Sequence, residues 1–432
     1  MKPITLLHIT SSLKRGGAET FLVSLIQHLP TGKYQHHVIY FHDGPLRTEL
    51  EKLGIAVYTP SHYCIRYDPF FMFELSKIIK KINPDAIHAL LWASSLYARF
   101  FSYYMRIPVF CSLHALPTHE GFFRTLCNRY APQPTTYCAV SPSIEHAYKA
   151  AGLAKSPIIT IPNGIQLPRS QPAHHDSIHS SLPTACFDKL NMSGDKHRSS
   201  QPARRSLLLR SSNFEEQVWR RPGVNFRRKL VSRDGWYRGS EKDTFTIGAV
   251  GRFVPVKNFS LLMYSFKSIY EKFSHVRLVI IGHGPLENNL RTLADTLEIS
   301  PAVTFIINKP ALDYYSQFDC FVQPSHYEGM SLALLEALAH KLPVIVTGKN
   351  KVHDVITHSI NGLVIEPGNQ EELTQALEFY IHNSQIRFQH AQNGLHTAGT
   401  HSLERMITAY DKLFCGTQLI CIHVLLLNYI LV

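Results

Sequence analysis

The chain has 432 residues, of which 45% are apolar, and a formal net charge of +12 at pH 7. This length exceeds the usual size of one domain, and the apolar content is ample for two hydrophobic cores. The eight cysteines lack the paired spacing of a metal site, so they are interpreted as small buried apolar residues. This interpretation indicates a reducing cytosol. The apolar run at residues 4–9 is too short for a signal peptide and predicts a first strand instead.

The first half of the chain predicts alternating strands and helices. The predicted strands are 5–9, 37–41, 56–59, 86–89, 109–113 and 137–140, and the first helix is 18–29. Such alternation implies a parallel sheet with helices on both faces, whose ligands bind beyond the carboxyl ends of the strands. We therefore expect one ligand-binding edge of this sheet to carry Gly16, Gly17, His114 and Ser141.

Residues 169–242 differ in composition from the rest of the chain. They contain about fifteen Lys and Arg against about seven acids, with few sustained apolar periods, which predicts poor order. The segment lies where an interdomain linker belongs, so it is interpreted as a flexible insertion or an aberrant stretch. The alternative is a contact with an anionic membrane surface or a partner. Nucleic acid is not expected, because interleaved aromatic platforms are missing.

The second half repeats the strand and helix pattern. The predicted strands are 245–250, 276–281, 303–307, 320–323 and 344–347, with helices at 260–273 and 371–381. Two doubly wound domains would face each other across a deep cleft. The predicted division is therefore a first domain at 1–168, the basic segment at 169–242, a second domain at 243–414 and an apolar tail at 415–432.

Arg252 and Lys257 lie five residues apart on a turn after the strand that ends at Gly251. Both cations can meet one diphosphate, and preorganised cations stabilise the charge that develops when a sugar–phosphate bond breaks. No metal is then required. The alternative is a solvated basic turn.

Glu328 and Glu336 lie eight residues apart across a loop-to-helix junction. The helix N-terminus presents unpaired amides that can bind an anion, here those of Gly329, Met330, Ser331 and Leu332. Glu336 can accept paired hydrogen bonds from a ribose diol, while Glu328 meets a second polyhydroxy group. Alternatively, Glu328 favours the helix dipole and Glu336 is a solvated surface acid.

This Glu-x7-Glu pattern resembles the motif of the retaining, nucleotide-sugar-dependent glycosyltransferases with the GT-B fold, often called family 4. The resemblance covers most of the chain outside the basic segment. It includes the motifs at residues 14–20, 161–165, 251–258, 281–286, 342–347 and 361–364. Each motif is weak by itself, but their joint occurrence in this order is a strong signal.

The resemblance implies an α/β fold of two Rossmann-like doubly wound domains, with the donor held mainly by the C-terminal one. It implies retention, a Gly16-Gly17 loop that moves on binding, and His114 beside the transferred sugar. Glu328 would orient that sugar rather than act as a covalent nucleophile. Two residues depart from the family pattern: Asn258 replaces a usual glycine, and His283 stands where an acid is common. Asp354 stands near the position of an acid that commonly follows the helix of the second glutamate.

The sequence therefore predicts transfer of a sugar from a nucleoside diphosphate to an acceptor hydroxyl, with no cofactor and no metal. UDP-sugars are expected rather than GDP-sugars, and the acceptor would be a bacterial surface polysaccharide or a lipid-linked glycan. The predicted location is cytoplasmic, with peripheral contact at the inner face of the cell membrane. The tail at 415–432 is shorter than the roughly 20 residues that span a bilayer; it is expected to pack on the body or to be aberrant. Rival interpretations are a non-catalytic scaffold or decayed homologue, and a nucleotide-sugar epimerase.

Overall fold

The computed structural model of the protein describes residues 2–61, 69–117, 121–168, 244–348, 351–352 and 354–430. Residues 1–169 and 243–432 form one compact unit. The basic segment 169–242, predicted to be an insertion or linker, lies outside the described residues. The described fold consists of the two halves that flank it.

The first half of the chain folds around one parallel sheet of seven strands. Its strands are β1 (Ile4–Ser12), β2 (Tyr34–His42), β3 (Ala56–Tyr58), β4 (Ala86–Leu90), β5 (Val109–Leu113), β6 (Thr136–Ala139) and β7 (Ile158–Thr160). They pair in the order β3-β2-β1-β4-β5-β6-β7. This order confirms the predicted α/β class. The short edge strand β7 was not predicted, because its three half-buried residues form no sustained apolar run.

Among the described residues, six helices of this half pack on the two faces of the sheet. They are α1 (Gly17–His28), α2 (Leu46–Lys52), α3 (Pro69–Ile82), α4 (Trp92–Met105), α5 (Gly121–Tyr130) and α6 (Pro142–Ala150). The apolar stripes of α1 and α2 join one core cluster, and those of α3 and α4 join another. Apolar residues at helical spacing thus fix the face on which each helix packs.

The second half is built around a six-stranded parallel sheet. Its strands are β8 (Phe245–Val250), β9 (Val276–Gly282), β10 (Val303–Ile307), β11 (Cys320–Gln323), β12 (Val344–Thr347) and β15 (Leu363–Ile365), in the order β10-β9-β8-β11-β12-β15. The two short strands β13 (Lys351–Val352) and β14 (Ile356–Thr357) pair antiparallel beside it. The five strands predicted in this half are present with bounds within one residue of those expected.

The helices of the second half are α7 (Phe259–Lys272), α8 (Glu287–Thr296), α9 (Leu332–Ala339), α10 (Gln370–His382) and α11 (Ser384–Thr400). Side chains cap two of them: Ser331 accepts from the amide of Leu334 at the start of α9, and Asn369 accepts from the amide of Glu372 at the start of α10. Such caps satisfy amides that have no partner within the helix.

The last helix, α12 (Leu403–Ile430), returns to the sheet of the first half. Tyr410 and Phe414 are fully buried there, and Asp411 accepts hydrogen bonds from the Tyr34 hydroxyl at 2.7 Å and from the Lys33 ammonium at 2.8 Å. The predicted boundary between residues 414 and 415 therefore falls inside one helix, whose first turns belong to the N-terminal core. In the described parts of the chain, no helix combines the length and hydropathy needed to cross a bilayer.

Candidate functional site

One cleft opens between the two halves, beyond the carboxyl ends of both sheets. It encloses about 340 Å³ and is lined by residues of both halves. The residues singled out from the sequence that line it are Gly16, Gly17, His114, Arg252, Lys257, Glu328, Gly329, Met330, Ser331, Leu332 and Glu336. The structure thus brings together every residue proposed for donor binding or catalysis, while their chemical roles stay predictions.

Lys257 and Glu328 form an ion pair on the C-terminal wall of the cleft. Their side chains are only 21% and 14% exposed, so the pair is largely shielded from water. The Ser325 hydroxyl donates a hydrogen bond to the same Glu328 oxygen at 2.8 Å. An incoming anion must therefore compete with Glu328 for the Lys257 ammonium. The interpretation of Lys257 as part of a solvated basic turn does not describe this half-buried, paired side chain.

Arg252 and Asn258 flank Lys257 on the turn after β8. Arg252 is exposed and extends toward the opposite wall, because a methyl group built on Gly16 would lie 3.7 Å from its Cδ. Asn258 has φ 49° and ψ 41°, in the left-handed region, and begins α7. Asparagine tolerates this conformation better than other residues with a side chain. The exchange of the family's usual glycine for Asn258 therefore leaves a glycine-like turn in place.

Glu336 lies on α9 and is not the solvated surface acid of the alternative interpretation. Its Oε2 accepts a hydrogen bond from the hydroxyl of the buried Tyr315 at 2.8 Å. Burial raises the pKa of Glu336 to about 7, although the Tyr315 hydrogen bond acts in the opposite direction. Near neutral pH this carboxyl group is consequently divided between its protonated and ionised forms.

The loop that carries Gly329 and Met330 is held against the first half of the chain. A Cβ atom on Gly329 would lie 2.3 Å from the carbonyl oxygen of His114, so only glycine permits this approach. The Met330 carbonyl accepts a hydrogen bond from Asn163 Nδ2 at 3.0 Å. Two contacts therefore join the two walls where the helix N-terminus meets the cleft.

The glycine turn before α1 forms the opposite wall. A Cβ atom on Gly16 would lie 2.5 Å from Oε2 of Glu19, whereas one on Gly17 would have no neighbour within 4 Å. Glu19, in the first turn of α1, is buried beneath this turn. Burial raises its pKa, and the nearby Arg252 cation partly offsets this effect. The turn is thus packed on a carboxyl group that also interacts with Arg252.

His114 places a buried ring nitrogen beside the cleft. Its ring packs against the edge of Phe21 at a centroid distance of 5.1 Å. In the described part of the chain, its Nε2 is buried without a hydrogen-bond partner. Burial lowers the pKa of His114 to about 4, so the ring is neutral at neutral pH. A buried polar atom normally has a partner, and at this position a ligand can supply one.

Two other residues noted in the sequence lie away from the cleft lining. Ser141 follows the carboxyl end of β6, as expected, but it is not among the residues that line the cleft; its hydroxyl accepts from the amide of Ile144 and caps α6. Asp354 accepts from the amide and the hydroxyl of Ser143, at 3.0 and 2.8 Å. Asp354 thus joins the two halves. His283 does line the cleft, and burial together with Arg252 lowers its pKa.

Sequence reasoning gave no role to Asn163 or to residues 308–312, all of which line the cleft. Asn163 is 2% exposed, and its Oδ1 is buried without a hydrogen-bond partner among the described residues. It lies in a Pro-Asn-Gly sequence, which predicts a turn but indicates no binding or catalytic role. Residues 308–312 follow a predicted strand, so their position beyond its carboxyl end is the signal that could have found them.

Within the described residues, no group of three or more His, Cys, Asp or Glu side chains is arranged to hold a metal ion. The polar groups at the cleft are instead cations, acids and single unpartnered atoms. Such a set suits a ligand that carries both anionic oxygens and hydroxyl groups.

Two protein families match the chain. Residues 15–169 match Glycosyltransferase Family 4, and residues 236–397 match Glycosyl transferases group 1. Together they span most of the chain. The first match begins at the glycine turn, and the second ends within α11.

Curated relatives are glycosyltransferases from bacteria and other organisms. The capsular polysaccharide biosynthesis glycosyltransferase CapM of Staphylococcus aureus is 31% identical over 155 residues, which cover 35% of this chain and 40% of CapM. The putative glycosyltransferase EpsF of Bacillus subtilis is 23% identical over 359 residues, covering 79% of this chain and 78% of EpsF. An uncharacterised glycosyltransferase of Haemophilus influenzae is 29% identical over 38% of this chain and 46% of its own. The chain thus spans less than half of CapM and of the Haemophilus influenzae protein, and 78% of EpsF.

Solved structures share the fold over nearly the whole chain. HepE of Anabaena, crystallised with UDP, has a TM-score of 0.67 at 17% identity and aligns with 96% of this chain and 100% of its own. The glycosyltransferase WaaG, involved in lipopolysaccharide biosynthesis, has a TM-score of 0.64 at 13% identity, with 96% and 100% aligned. These likenesses support the two-sheet fold. In its two matched regions and in its relatives, the chain is similar to glycosyltransferases of the group 1 type.

Proposed function

We propose that the protein is a retaining glycosyltransferase that moves a sugar from a nucleoside diphosphate to an acceptor hydroxyl. The observation that carries the proposal is the composition of the cleft. Its C-terminal wall presents Arg252, the Lys257–Glu328 ion pair and the half-buried Glu336, and its N-terminal wall presents His114 Nε2, which has no hydrogen-bond partner among the described residues. A sugar nucleotide has matching groups for all of these.

Arg252 and Lys257 would bind the diphosphate. The donor's phosphate oxygens would replace Glu328 as partners of Lys257, and the released Glu328 carboxylate would accept hydrogen bonds from the sugar. Donor binding thereby exchanges one ion pair for another instead of leaving a half-buried charge unpaired, which would be costly. The amides of residues 329–332 and the turn at Gly16 and Gly17 would complete the phosphate environment.

The remaining polar groups would orient the donor. Glu336 would accept the paired hydroxyls of the ribose, and His114 would hydrogen-bond a hydroxyl on the far side of the sugar. The sugar would then be fixed between the two walls, with its anomeric carbon facing the acceptor. Positioning of this kind lowers the barrier because the reacting atoms are already aligned.

In the proposed step, the bond between the anomeric carbon and the leaving phosphate oxygen breaks with its electron pair on the phosphate. The acceptor oxygen bonds to the anomeric carbon on the same face, and its proton passes to the leaving phosphate. Arg252 and Lys257 would stabilise the charge that develops on the nucleotide. We therefore expect the reaction to need no metal ion and no cofactor.

The donor is proposed to be a UDP-sugar rather than a GDP-sugar. HepE, which shares the fold, has been crystallised with UDP-glucose. The acceptor is proposed to be a growing surface polysaccharide or a lipid-linked glycan, made at the cytoplasmic face of the membrane. This proposal is supported by relatives named for capsular polysaccharide and lipopolysaccharide core biosynthesis.

The test uses the full chain and a panel of UDP- and GDP-sugars. Calorimetry measures donor binding, and nucleotide release in the presence of EDTA measures donor hydrolysis. Glu336→Ala is the site variant, and Glu271→Ala, at an exposed position on α7, is the matched control. The proposal predicts binding of one donor class, strong weakening by Glu336→Ala but not by Glu271→Ala, and release unaffected by EDTA. A folded wild-type protein that binds no sugar nucleotide would instead favour a non-catalytic scaffold.

A further inference from the structure

Asn163 is a buried polar residue of the cleft lining whose side chain is only partly used within the protein. It lies in the turn after β7 and is 2% exposed. Its Nδ2 donates a hydrogen bond to the Met330 carbonyl at 3.0 Å, whereas its Oδ1 has no partner in the parts of the chain that the structure describes. The two atoms cannot be exchanged, because a carbonyl oxygen only accepts and must face the amide N–H. The atom without a partner is therefore an acceptor.

The turn that carries Asn163 is held tightly against the start of α12. A Cβ atom on Gly164 would lie 2.9 Å from the Met406 Cβ, and the Gly164 amide already donates to the Met406 sulfur at 3.2 Å. The Ile165 amide donates to the His401 carbonyl at 3.0 Å. The two amides that follow Asn163 are thus committed elsewhere, so neither supplies a hydrogen to its Oδ1.

A purely structural role explains only half of this side chain. The bond to Met330 links the two halves of the protein, as Asp354 does through its hydrogen bonds to Ser143. Such a link needs only the Nδ2 donor. A buried oxygen that loses water without gaining a hydrogen-bond donor destabilises a fold. Its presence at a cleft therefore indicates a partner that arrives with the ligand.

The chemistry of the oxygen restricts which group of a sugar nucleotide can be that partner. An amide carbonyl oxygen accepts and cannot donate, so its partner must carry a hydroxyl or an N–H group. An ionised diphosphate has neither. The ribose hydroxyls are assigned to Glu336 in the proposed function, which leaves the nucleobase and the transferred sugar.

The position of Asn163 selects the sugar. In the proposed function the sugar lies between Glu328 on one wall and His114 on the other. Gly329, the next residue after Glu328, packs on the His114 carbonyl. Met330 follows and is bonded to Asn163. His114 and Asn163 thus border the same short loop from the same half of the protein.

We infer that Asn163 Oδ1 accepts a hydrogen bond from one hydroxyl of the transferred sugar, and that Asn163 thereby helps to select the donor. The inference rests on the proposed function, because it places the sugar where that function does. The oxygen is covered by its neighbours in this structure, so the sugar reaches it by entering before the two halves close on each other. Closure around an empty cleft leaves the oxygen unpaired, whereas closure around the correct sugar pairs it.

The test is calorimetry of the full chain with three kinds of probe: the UDP- or GDP-sugar of the panel that binds most tightly, its monodeoxy analogues, and the matching free nucleoside diphosphate. Asn163→Ala is the site variant, with Asn163→Ser in its place if circular dichroism shows that the alanine variant does not fold. Asp354→Ala is the control for a lost link between the halves. Asn289→Ala, at an exposed position on α8, is the control for an asparagine outside the cleft.

We expect Asn163→Ala to weaken binding of the complete donor about tenfold and to leave binding of the free nucleoside diphosphate within about twofold. One monodeoxy analogue should bind wild type about tenfold more weakly than the complete donor does, and Asn163→Ala should weaken binding of that analogue no further. Neither control should show this non-additivity.

Equal losses for the complete donor and for the free nucleoside diphosphate would overturn the inference, because they would indicate a contact to the base or a structural link alone. Losses in Asn163→Ala that add to those of every monodeoxy analogue would overturn it too. Both outcomes leave the proposed function standing. A folded wild-type protein that binds no sugar nucleotide would instead reject the proposed function, and the inference with it.

Discussion

Donor binding should weaken as the pH falls from 8 to 6, because Glu336 becomes protonated in that range. The proposed role of Glu336 is to accept two hydrogen bonds from the ribose, which an ionised carboxylate does better than a neutral acid. Burial beside Tyr315 raises its pKa to about 7. The perturbations are therefore the pH itself and the substitution Glu336→Gln, which keeps the size but cannot ionise.

The size of the effect follows from the ionised fraction. For a pKa of about 7, that fraction falls from about nine-tenths at pH 8 to about one-tenth at pH 6. If only the ionised form binds the ribose, the Kd rises about tenfold, which corresponds to about 1.4 kcal/mol. At pH 7, binding should release about half a proton per site, because the bound form is fully ionised.

The assay is isothermal calorimetry with an intact sugar nucleotide in buffers of different ionisation enthalpy. An intact donor is needed because the terminal phosphate of a free nucleoside diphosphate itself titrates near pH 6. Protonation of a histidine such as His283 at the cleft would strengthen anion binding at low pH, so it has the opposite sign. Glu336→Gln should flatten the profile, and Glu271→Gln should retain it. A wild-type Kd that stays constant or falls between pH 8 and pH 6 would refute the reasoning.

Three further predictions concern the site and the core. Lys257→Met should reduce the rate of nucleotide release about 10²- to 10³-fold in a coupled assay, because it removes a cation from the leaving group; an unchanged rate would contradict the assignment. Gly329→Ala should lower stability by about 1–3 kcal/mol in a denaturant titration, because its Cβ would lie 2.3 Å from the His114 carbonyl oxygen. Gly17→Ala, which places a Cβ with nothing within 4 Å, should change the free energy of unfolding little. If the two variants lose equal stability, the close contact at Gly329 does not explain the loss. Burial lowers the pKa of His88 to about 3 in the folded protein from 6.5, so its contribution to stability is present above pH 6.5 and is lost as the pH falls below that value. The free energy of unfolding should therefore decline from pH 7.5 to pH 5 more steeply in wild type than in His88→Gln.

Much of the fold could be predicted because its core strands are short apolar runs that mostly alternate with helices. Residues 109–113, 245–250 and 303–307 become strands with the predicted bounds. The edge strands β7 and β15 escaped prediction, since each has only three residues, which carry little periodic signal. The tail was expected to pack on the body or to be aberrant, but its apolar composition contains no information about which sheet the helix covers.

The candidate site was predicted from motif residues that border the cleft in the structure. The sequence could not predict the partners of these residues. Lys257 is paired with Glu328, and Glu336 with Tyr315. The two residues of each pair lie far apart along the chain, so the sequence does not show that they meet. The sequence gave no indication of a role for Asn163, because its side chain acts through a hydrogen bond to the Met330 carbonyl on the other side of the cleft. Long-range contacts of this kind depend on how the two halves meet.

The return of α12 to the first sheet has a consequence for the synthesis of the protein. The core cluster that holds Leu6, Phe110 and Cys138 also contains Tyr410 and Phe414, which a ribosome adds long after the strands of that sheet. The N-terminal sheet must therefore wait, with one apolar face incompletely covered, while more than two hundred residues are still being made. Nascent chains that stop before residue 403 would expose that face, which makes them natural targets for chaperones and proteases.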